Sequence, residues 1–521
     1  MNLMNHLPAL ALAVPLLAAF ATPLVALAGR KARNTFLVCV SALITLIVFS
    51  LLCRVASSGT QVYVMGADSW NISLPSGFAI PVRIILEVDA FNALVAFIAS
   101  LSSLAGALFG LRFVEKFTGL DCYGALFLLL TAGTMGMILT GDLFNFFVFL
   151  EISSVASFGL IAFWRDRPEA VEASYKYMLA SQIAAQLVLV ALAFIYGRYG
   201  VLNMAAFANV VGSDTISKVV LVFILVALGM KCGTFPMHMW MPDAYAEAPA
   251  SVTVMLVAMS QASLVVLARF CFSLYGTALG SDVVPWALII LGCLSMFGGV
   301  SMAVVQHEVK RLMGYHSVSQ VGYILTAFGV GLLALKDPAA TGAYGLAAIQ
   351  GGVYHMINYI LYKGLLFLCA GVLYMAVGSR DLDKMGGLAR KMPLTSAMFL
   401  IAAAAISGIP PFNGFVSKWM IYESIYAVHP ILMVVALVSS VLTLASFVKV
   451  YQSAFLGPER ACFADVKEAP KSMLAGMAVL AAMILVLSLF PSWTVRTLVA
   501  PAAEALMGKA SYVAAVMGGA L

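Results

Sequence analysis

Apolar residues run in blocks of about twenty along nearly the whole chain, separated by short polar segments that carry most of the arginine and lysine. A block of that length crosses the hydrocarbon core of a bilayer as a single helix. Fourteen spans are predicted, at 7–28, 34–56, 88–112, 121–140, 142–163, 171–197, 217–240, 248–274, 284–306, 310–334, 341–377, 394–426, 430–455 and 470–491. The eleventh and twelfth are longer than a membrane requires. Basic residues test the count. Odd-numbered loops and their edges hold Arg30, Lys31, Arg33, Arg112, Lys116, Arg165, Arg167, Lys310, Arg311, Arg380, Lys384, Arg390, Lys391, Arg460, Lys467 and Lys471. Even-numbered ones hold Arg54, Arg83, Arg198, Lys218 and Lys336. Because basic residues stay on the cytoplasmic side, the bias places the odd loops in the cytoplasm and both termini outside. The fold class is an all-α polytopic membrane protein.

Some segments depart from the pattern. Residues 57–87 alternate in short runs punctuated by Gly, Pro and Asn, which predicts an external β-hairpin. Its Asn71-Ile-Ser triplet has the form of a glycosylation sequon but reads as a turn. The tail after Pro491 carries an amphipathic stretch, Val495 to Met507, expected to lie at the membrane interface. The first apolar run, Leu7 to Ala28, is followed by Arg30-Lys31-Ala-Arg33. That reverses the charge order of a signal peptide, so it reads as a retained first helix.

Two spans are interrupted, and each holds a lysine. In LVFILVALGMKCGTFPMHMWMPDA, Lys231 lies five residues before Pro236; in FLIAAAAISGIPPFNGFVSKWMIY, Lys418 lies seven after Pro411. An ammonium at the bilayer centre costs about 2.5–3.5 kcal/mol on insertion scales, so such residues are usually functional. A proline frees backbone carbonyls, which is tolerated at that depth only inside protein or beside water. The broken spans are the seventh and twelfth. An odd separation gives them opposite orientation, as in an inverted repeat of spans 4–8 against spans 9–13 with an ion path between them. The expected organisation is an N-terminal unit of three helices with the hairpin (1–120), two inverted five-helix repeats (121–275 and 276–460), and a C-terminal helix with an interfacial tail (461–521).

Other buried polar residues extend this pattern. Glu151 follows Asp142 by nine residues, about 13 Å deeper along a helix and near the midplane. Burial disfavours the charged form of both Glu151 and Lys231, while proximity restores both charges, so the pair is a candidate proton switch. The competing reading is a static buried ion pair. Span 11 carries His355, Tyr359 and Lys363 at spacings of four, on one helical face over about 12 Å, suited to a proton wire. A histidine and a tyrosine that merely pack are the alternative for the first two. In span 10, His316, Ser319, Gln320 and Tyr323 share a face that reads either as an entry path or as polar helix–helix contact. Lys176, Arg269 and Lys449 are expected to snorkel to an interface. His238, Asp243 and Glu247, around the seventh-span break, are expected to be structural.

Composition narrows the chemistry. The 521-residue chain is 63% hydrophobic and 10% charged, against about 25% charged in soluble proteins. Its net charge of +6 follows from topology and implies no nucleic-acid partner. Eight cysteines are scattered without a C-x-x-C or Cys/His cluster, and neither a Walker loop nor a dinucleotide fingerprint occurs. No metal or cofactor is expected in this chain. A self-sufficient carrier of an organic solute and a quinone-reactive oxidoreductase core are the rival functions. The first would need a roomy site, and the second would need metal or flavin ligands.

Five segments, in order, resemble proton-translocating antiporter-like subunits: LTGDLFNFFVFLEISSVASFGLIAF, KCGTFPMHMWMPDAYAEAPASV, QHEVKRLMGYHSVSQVGYI, HMINYILYKGLLFL and ISGIPPFNGFVSKW. Members are the L/M/N-type subunits of respiratory complex I, the D-type subunit of Mrp sodium/proton antiporters and counterparts in membrane-bound hydrogenases. The likeness covers about residues 85–460 and leans toward the Mrp D-type and hydrogenase branch. It implies 14 helices with two inverted five-helix repeats, no cofactor in the chain, and partner subunits in a prokaryotic inner membrane complex. Such a complex is either an oxidoreductase or a Mrp-type cation/proton antiporter. It also implies that Glu151 and Lys231 form the switch, Lys363 the central relay and Lys418 the terminal site, while His316 and His355 join the path of protons, with or without sodium exchange, on the reading of their helical faces alone. Two positions depart from the family. Ala262, beside Gln261, stands where many members have a basic residue in span 8, and Tyr359 stands where many have a second histidine. Either the half-channels connect through water and Gln261, or transport by this subunit differs from the family pattern; the missing span 8 base lends weight to the alternative of a structural subunit that has lost transport.

Overall fold

The computed structural model describes residues 3–73, 79–114, 119–460, 463 and 465–518. Helices α1 (Leu7–Ala26) and α2 (Arg30–Ser58) lead into an antiparallel hairpin, β1 (Gln61–Ser73) and β2 (Ala79–Val88). Then come α3 (Ala90–Phe113), α4 (Leu120–Leu139), α5 (Leu143–Ile161), α6 (Pro168–Tyr199), the short α7 (Met204–Val210), α8 (Thr215–Cys232), α9 (Trp240–Glu247) and α10 (Ala250–Ala268). The second half holds α11 (Val283–Val304), α12 (Val309–Ala334), the single turn α13 (Pro338–Ala340), α14 (Leu346–Val377), α15 (Pro393–Ser407), α16 (Asn413–Val428), α17 (Pro430–Tyr451) and α18 (Lys471–Leu489). The tail forms α19 (Pro491–Thr494), α20 (Ala500–Met507) and α21 (Lys509–Gly518).

Among the described residues, thirteen helices are long and apolar enough to cross a membrane. The fourteenth expected span is the one at 394–426, which is divided into α15 and α16 with five residues between them, so neither piece is long enough alone. The chain is a multi-pass integral membrane protein. At its centre, residues 250–276 are entirely buried and α12 nearly so, whereas fewer than half of the residues of α1 are buried. This gradient suits a bundle whose outer helices face lipid or neighbouring proteins and whose inner helices carry the polar groups.

The hairpin is present where the punctuation predicted it, from Gln61 opposite Val88 to Ser73 opposite Ala79. Asn71 is not in a turn: it lies in β1 opposite Pro81, and the connecting residues 74–78 are outside the described segments. In the tail, Val499, Ala502, Ala503 and Leu506 are buried, and α20 packs on α3 and α14. Its apolar face is satisfied by the chain itself.

The two interruptions have the same local construction. Gly233 follows α8 at φ +76° and Gly408 follows α15 at φ +76°, the left-handed region that glycine enters without a Cβ penalty. At the first, Gly233 N donates to Met230 O and Thr234 N to Gly229 O. At the second, Gly408 N donates to Ala405 O and Ile409 N to Ala404 O. These are matching Schellman caps, each followed by proline that prevents the helix from continuing. A Cβ on Gly233 would sit 2.4 Å from Met241 Cε and one on Gly408 would sit 2.9 Å from Lys418 Cδ, so neither break accepts a larger residue without displacement.

Candidate functional site

Lys231 occupies the last turn of α8 and is 3% exposed. Its Nζ donates to Ser154 Oγ at 2.5 Å and to Ser181 Oγ, with the Tyr177 ring centroid 6.0 Å away. Ser154 Oγ in turn donates to Leu150 O at 2.6 Å, leaving its lone pairs for the ammonium. Glu151 lies one turn earlier on α5, where its Oε2 accepts from Gln182 Nε2 at 3.1 Å and its Oε1 is buried without a protein partner. Among the described residues no ion pair joins Glu151 to Lys231. The two helices α5 and α6 thus offer a carboxylate–amide pair and, beside it, a hydroxyl pair; in this arrangement the ammonium is on the hydroxyls.

The middle of the seam is built by α12 and α14. Lys363 is fully buried; its Nζ donates to Met313 O and lies 5.5 Å from the Phe367 ring centroid. His355 links three helices: Nδ1 to Ser417 Oγ at 3.1 Å, and Nε2 to Gln320 Oε1 at 3.2 Å and to the Tyr362 hydroxyl at 3.3 Å. The expected His355–Tyr359–Lys363 stack is therefore not a continuous hydrogen-bonded line, since the histidine's aromatic partner is Tyr362. The Tyr359 hydroxyl, both ring nitrogens of His316, Gln261 Oε1 and Gln320 Nε2 are buried without protein partners. Buried polar atoms of this kind take water as partner. The α12 stripe divides: Ser319 Oγ donates to Met296 O at 2.9 Å as helix–helix contact, whereas Gln320 and Tyr323 face the seam.

Lys418, 1% exposed, turns back over the second break. Its Nζ donates to Ile406 O at 2.8 Å, a carbonyl released by the end of α15, and to Ser440 Oγ at 2.9 Å, and lies 4.9 Å from the Tyr323 ring centroid. Tyr323 stands 5.5 Å from His355, centroid to centroid, so one ring borders both stations. Asn358 Nδ2 donates to Ser417 Oγ at 3.2 Å, and Asn413 Nδ2 donates to Asn358 Oδ1 at 2.7 Å. The serines, Asn358, Asn413 and Tyr362 were not singled out by sequence. The one available signal was spacing: Ser154 stands three residues after Glu151, Asn358 three after His355 and Tyr362 seven after it.

Peripheral charges sort by partner. Lys176 pairs with Glu172 at 2.7 Å and Asp243 at 2.9 Å, and Asp243 also holds Arg311 at 3.1 Å. Glu247 accepts from Arg380 at 2.8 and 3.0 Å, and Lys310 donates to the carbonyls of Ala246 and Ala248 at the end of α9. Against its own burial, Arg380 is held above its ordinary value by the Glu308 and Glu247 carboxylates. Lys449 donates to Val304 O at 2.7 Å and Gln306 O at 2.8 Å, capping the end of α11. Arg269 is 4% exposed and paired with Asp89, the N-cap of α3, at 2.5 Å, so its charge is met inside the protein. Asp142 caps α5 through Asn145 N at 2.8 Å, and burial pushes its carboxyl up to about 6.

Residues 140–443 match the family model described as NADH:quinone oxidoreductase/Mrp antiporter, TM. The chain belongs to this family. The N-type subunit of the NADH-quinone oxidoreductase of Desulforudis audaxviator (strain MP104C) is 33% identical, over 93% of this chain and 96% of that one. The D-type subunit of the Na(+)/H(+) antiporter of Alkalihalophilus pseudofirmus (strain ATCC BAA-2126 / JCM 17055 / OF4) is also 33% identical, over 73% and 75%. A chain of the Mrp complex from Dietzia sp. DQ12-45-1b superposes with a TM-score of 0.86 at 27% identity, covering 99% of this chain and all of that one. Equal identities to an oxidoreductase subunit and an antiporter subunit place this antiporter-family chain no nearer to one branch than to the other. Its buried seam lies wholly inside the matched residues.

Proposed function

We propose that the chain is the proton-translocating, antiporter-like subunit of a multisubunit membrane complex. The observation that carries this reading is the seam itself. Three buried lysines (Lys231, Lys363 and Lys418) sit on neutral oxygens, and two of them adjoin a helix break. An ammonium held only by hydroxyls and carbonyls can give up its proton without leaving a buried carboxylate unpaired. Glu151 and Lys231 serve as the exchanging pair, Lys363 as the relay, His355 and His316 as lateral proton carriers, and Lys418 as the terminal site. The Mrp relatives favour a second reading in which proton movement is exchanged for sodium.

The same reading gives the arrangement in the cell. The two five-helix units, 121–275 and 276–460, act as inverted repeats, and the matching caps at Gly233 and Gly408 support this. The hairpin side faces outward with both termini, and the basic loops face the cytoplasm of a prokaryotic inner membrane. Other membrane subunits of a Mrp-like, complex I-like or hydrogenase-like assembly are the partners, and any redox centre lies on them.

The test uses the purified parent complex in sealed proteoliposomes with a pH-sensitive dye inside. Proton movement driven by the complex's own reaction or by a sodium gradient, and lost in Lys363→Ala, is the expected result. Undiminished movement in that variant would assign the chain a structural role. Sodium dependence separates exchange from pumping.

A further inference from the structure

Outside the lysine seam, on the hairpin side, lies a second group of buried charges. Glu87 near the end of β2 is 2% exposed, and Asp89, the residue before α3, is 3% exposed. Asp89 is fully used. Its Oδ1 accepts from Phe91 N at 3.0 Å and Asn92 N at 3.1 Å, and its Oδ2 pairs with Arg269. Arg269 spends another donor on Ser273 Oγ at 3.3 Å and lies between the rings of Phe91 and Tyr512, 5.6 and 5.0 Å from their centroids. Two carboxyl groups therefore share one guanidinium, and Asp89 has it. Glu87 Oε1 is buried with no protein partner.

We propose that Glu87 is a proton-binding site: it carries a proton beside the Asp89–Arg269 pair and thereby holds the hairpin and the C-terminal helix α21 against the bundle. A second buried carboxylate without its own counter-ion is far costlier than a neutral acid. Among the described residues, the charges that act on it are those of Arg269 and Asp89. Across the hairpin stands Val62, and the α4–α5 link presents Gly141, where a Cβ would lie 3.2 Å from Glu87 Cβ. The neighbouring Asp142 carboxyl is committed to Asn145 N, and Asn92 Nδ2 donates to the Glu87 main-chain oxygen at 2.6 Å. From α21 the Tyr512 hydroxyl lies beside the carboxyl. Burial pushes Glu87 up to about 8, with the Arg269 charge pulling back part of the shift and Asp89 adding to it. The folded chain thus binds this proton more tightly than an unfolded one. The closed arrangement is at full strength below the ordinary carboxyl range and weakens as pH rises through about 8.

The proposal goes beyond transport and stands or falls separately from it. The test uses the chain in its complex in lipid nanodiscs, titrated from about pH 6 to about pH 10. Infrared difference spectra read the protonated carboxyl stretch, and hydrogen-exchange protection factors read residues 509–518. The wild type is expected to lose one carboxyl band, with protection of the C-terminal helix falling several-fold over the same interval. Glu87→Gln should lack the band and keep its protection at all pH values. Asp89→Asn, which frees the guanidinium for Glu87, should move the midpoint down by more than a pH unit. No carboxyl band with a midpoint near pH 8 in the wild type, such a band surviving Glu87→Gln, equal loss of protection in both, or an unmoved midpoint in Asp89→Asn would each overturn the site, the Asp142 band being set apart by its lower midpoint near 6.

Discussion

Lys231 donates to Ser154 at 2.5 Å, one helical turn along α5 from the carboxylate of Glu151. In the proposed switch, rotation of the long lysine side chain carries the ammonium from this hydroxyl to the carboxylate. Glu151→Ala and Lys231→Ala should each abolish most transport while assembly persists, and the double variant should be little worse than either. Independent losses that multiply would show that the two do not act together. Ser154→Ala should slow transport about three- to tenfold, the scale of about 1 kcal/mol for one hydrogen bond. Proton flux in proteoliposomes measures all four.

Lys363 and His355 should separate by severity. Lys363→Ala is expected to nearly stop transport, because the lysine is the central relay of the proposed path. His355→Ala should slow it partially, since Gln320 and Tyr362 remain to bridge hydrogen bonds. Full activity in Lys363→Ala would remove the axial relay.

Lys418 gives a test by charge type. Lys418→Glu should retain some transport, because a carboxyl in the same place also gives and takes a proton; Lys418→Met should retain none. The Met variant also uncovers Ile406 O, so its melting temperature is the control. A wild-type rate in Lys418→Met would move the terminal site elsewhere.

Asp142 predicts a pH dependence of stability. Its carboxyl is raised to about 6, so the folded form favours the proton more than the unfolded form does. The stability it contributes is full below the ordinary carboxylate range, about 4, and is lost as pH rises through about 6. Asp142→Asn keeps an N-cap acceptor and should flatten the melting temperature across that interval. An unchanged slope in the variant would refute the assignment.

The spans, the hairpin and both breaks were legible in sequence because each rests on local chemistry: apolar length, strand punctuation, and glycine with proline. The contacts of the site were not, because they join distant segments. Nothing near Lys231 in sequence indicates Ser154 or Ser181, which come from two other helices. Spacings of four and seven both keep a residue on the face of His355, so periodicity could not choose Tyr362 over Tyr359. Arg269 looked like a residue seeking the interface because its counter-ion, Asp89, is 180 residues earlier. The amphipathic face of the tail did not reveal that α3 and α14 cover it.

The neutral cradles of Lys231, Lys363 and Lys418 have an electrical consequence. With no carboxylate clamped to Lys363 or Lys418, charge placed on either is felt by the polar groups around it, and the His316 ring feels both. Two like charges about 10 Å apart at an effective dielectric of about 20 repel by ~1.7 kcal/mol, more than a tenfold change in occupancy. On the proposed path, loading Lys363 or Lys418 therefore repels a proton arriving at His316 without any side chain travelling between them. Stations joined in this way pass on voltage as well as protons.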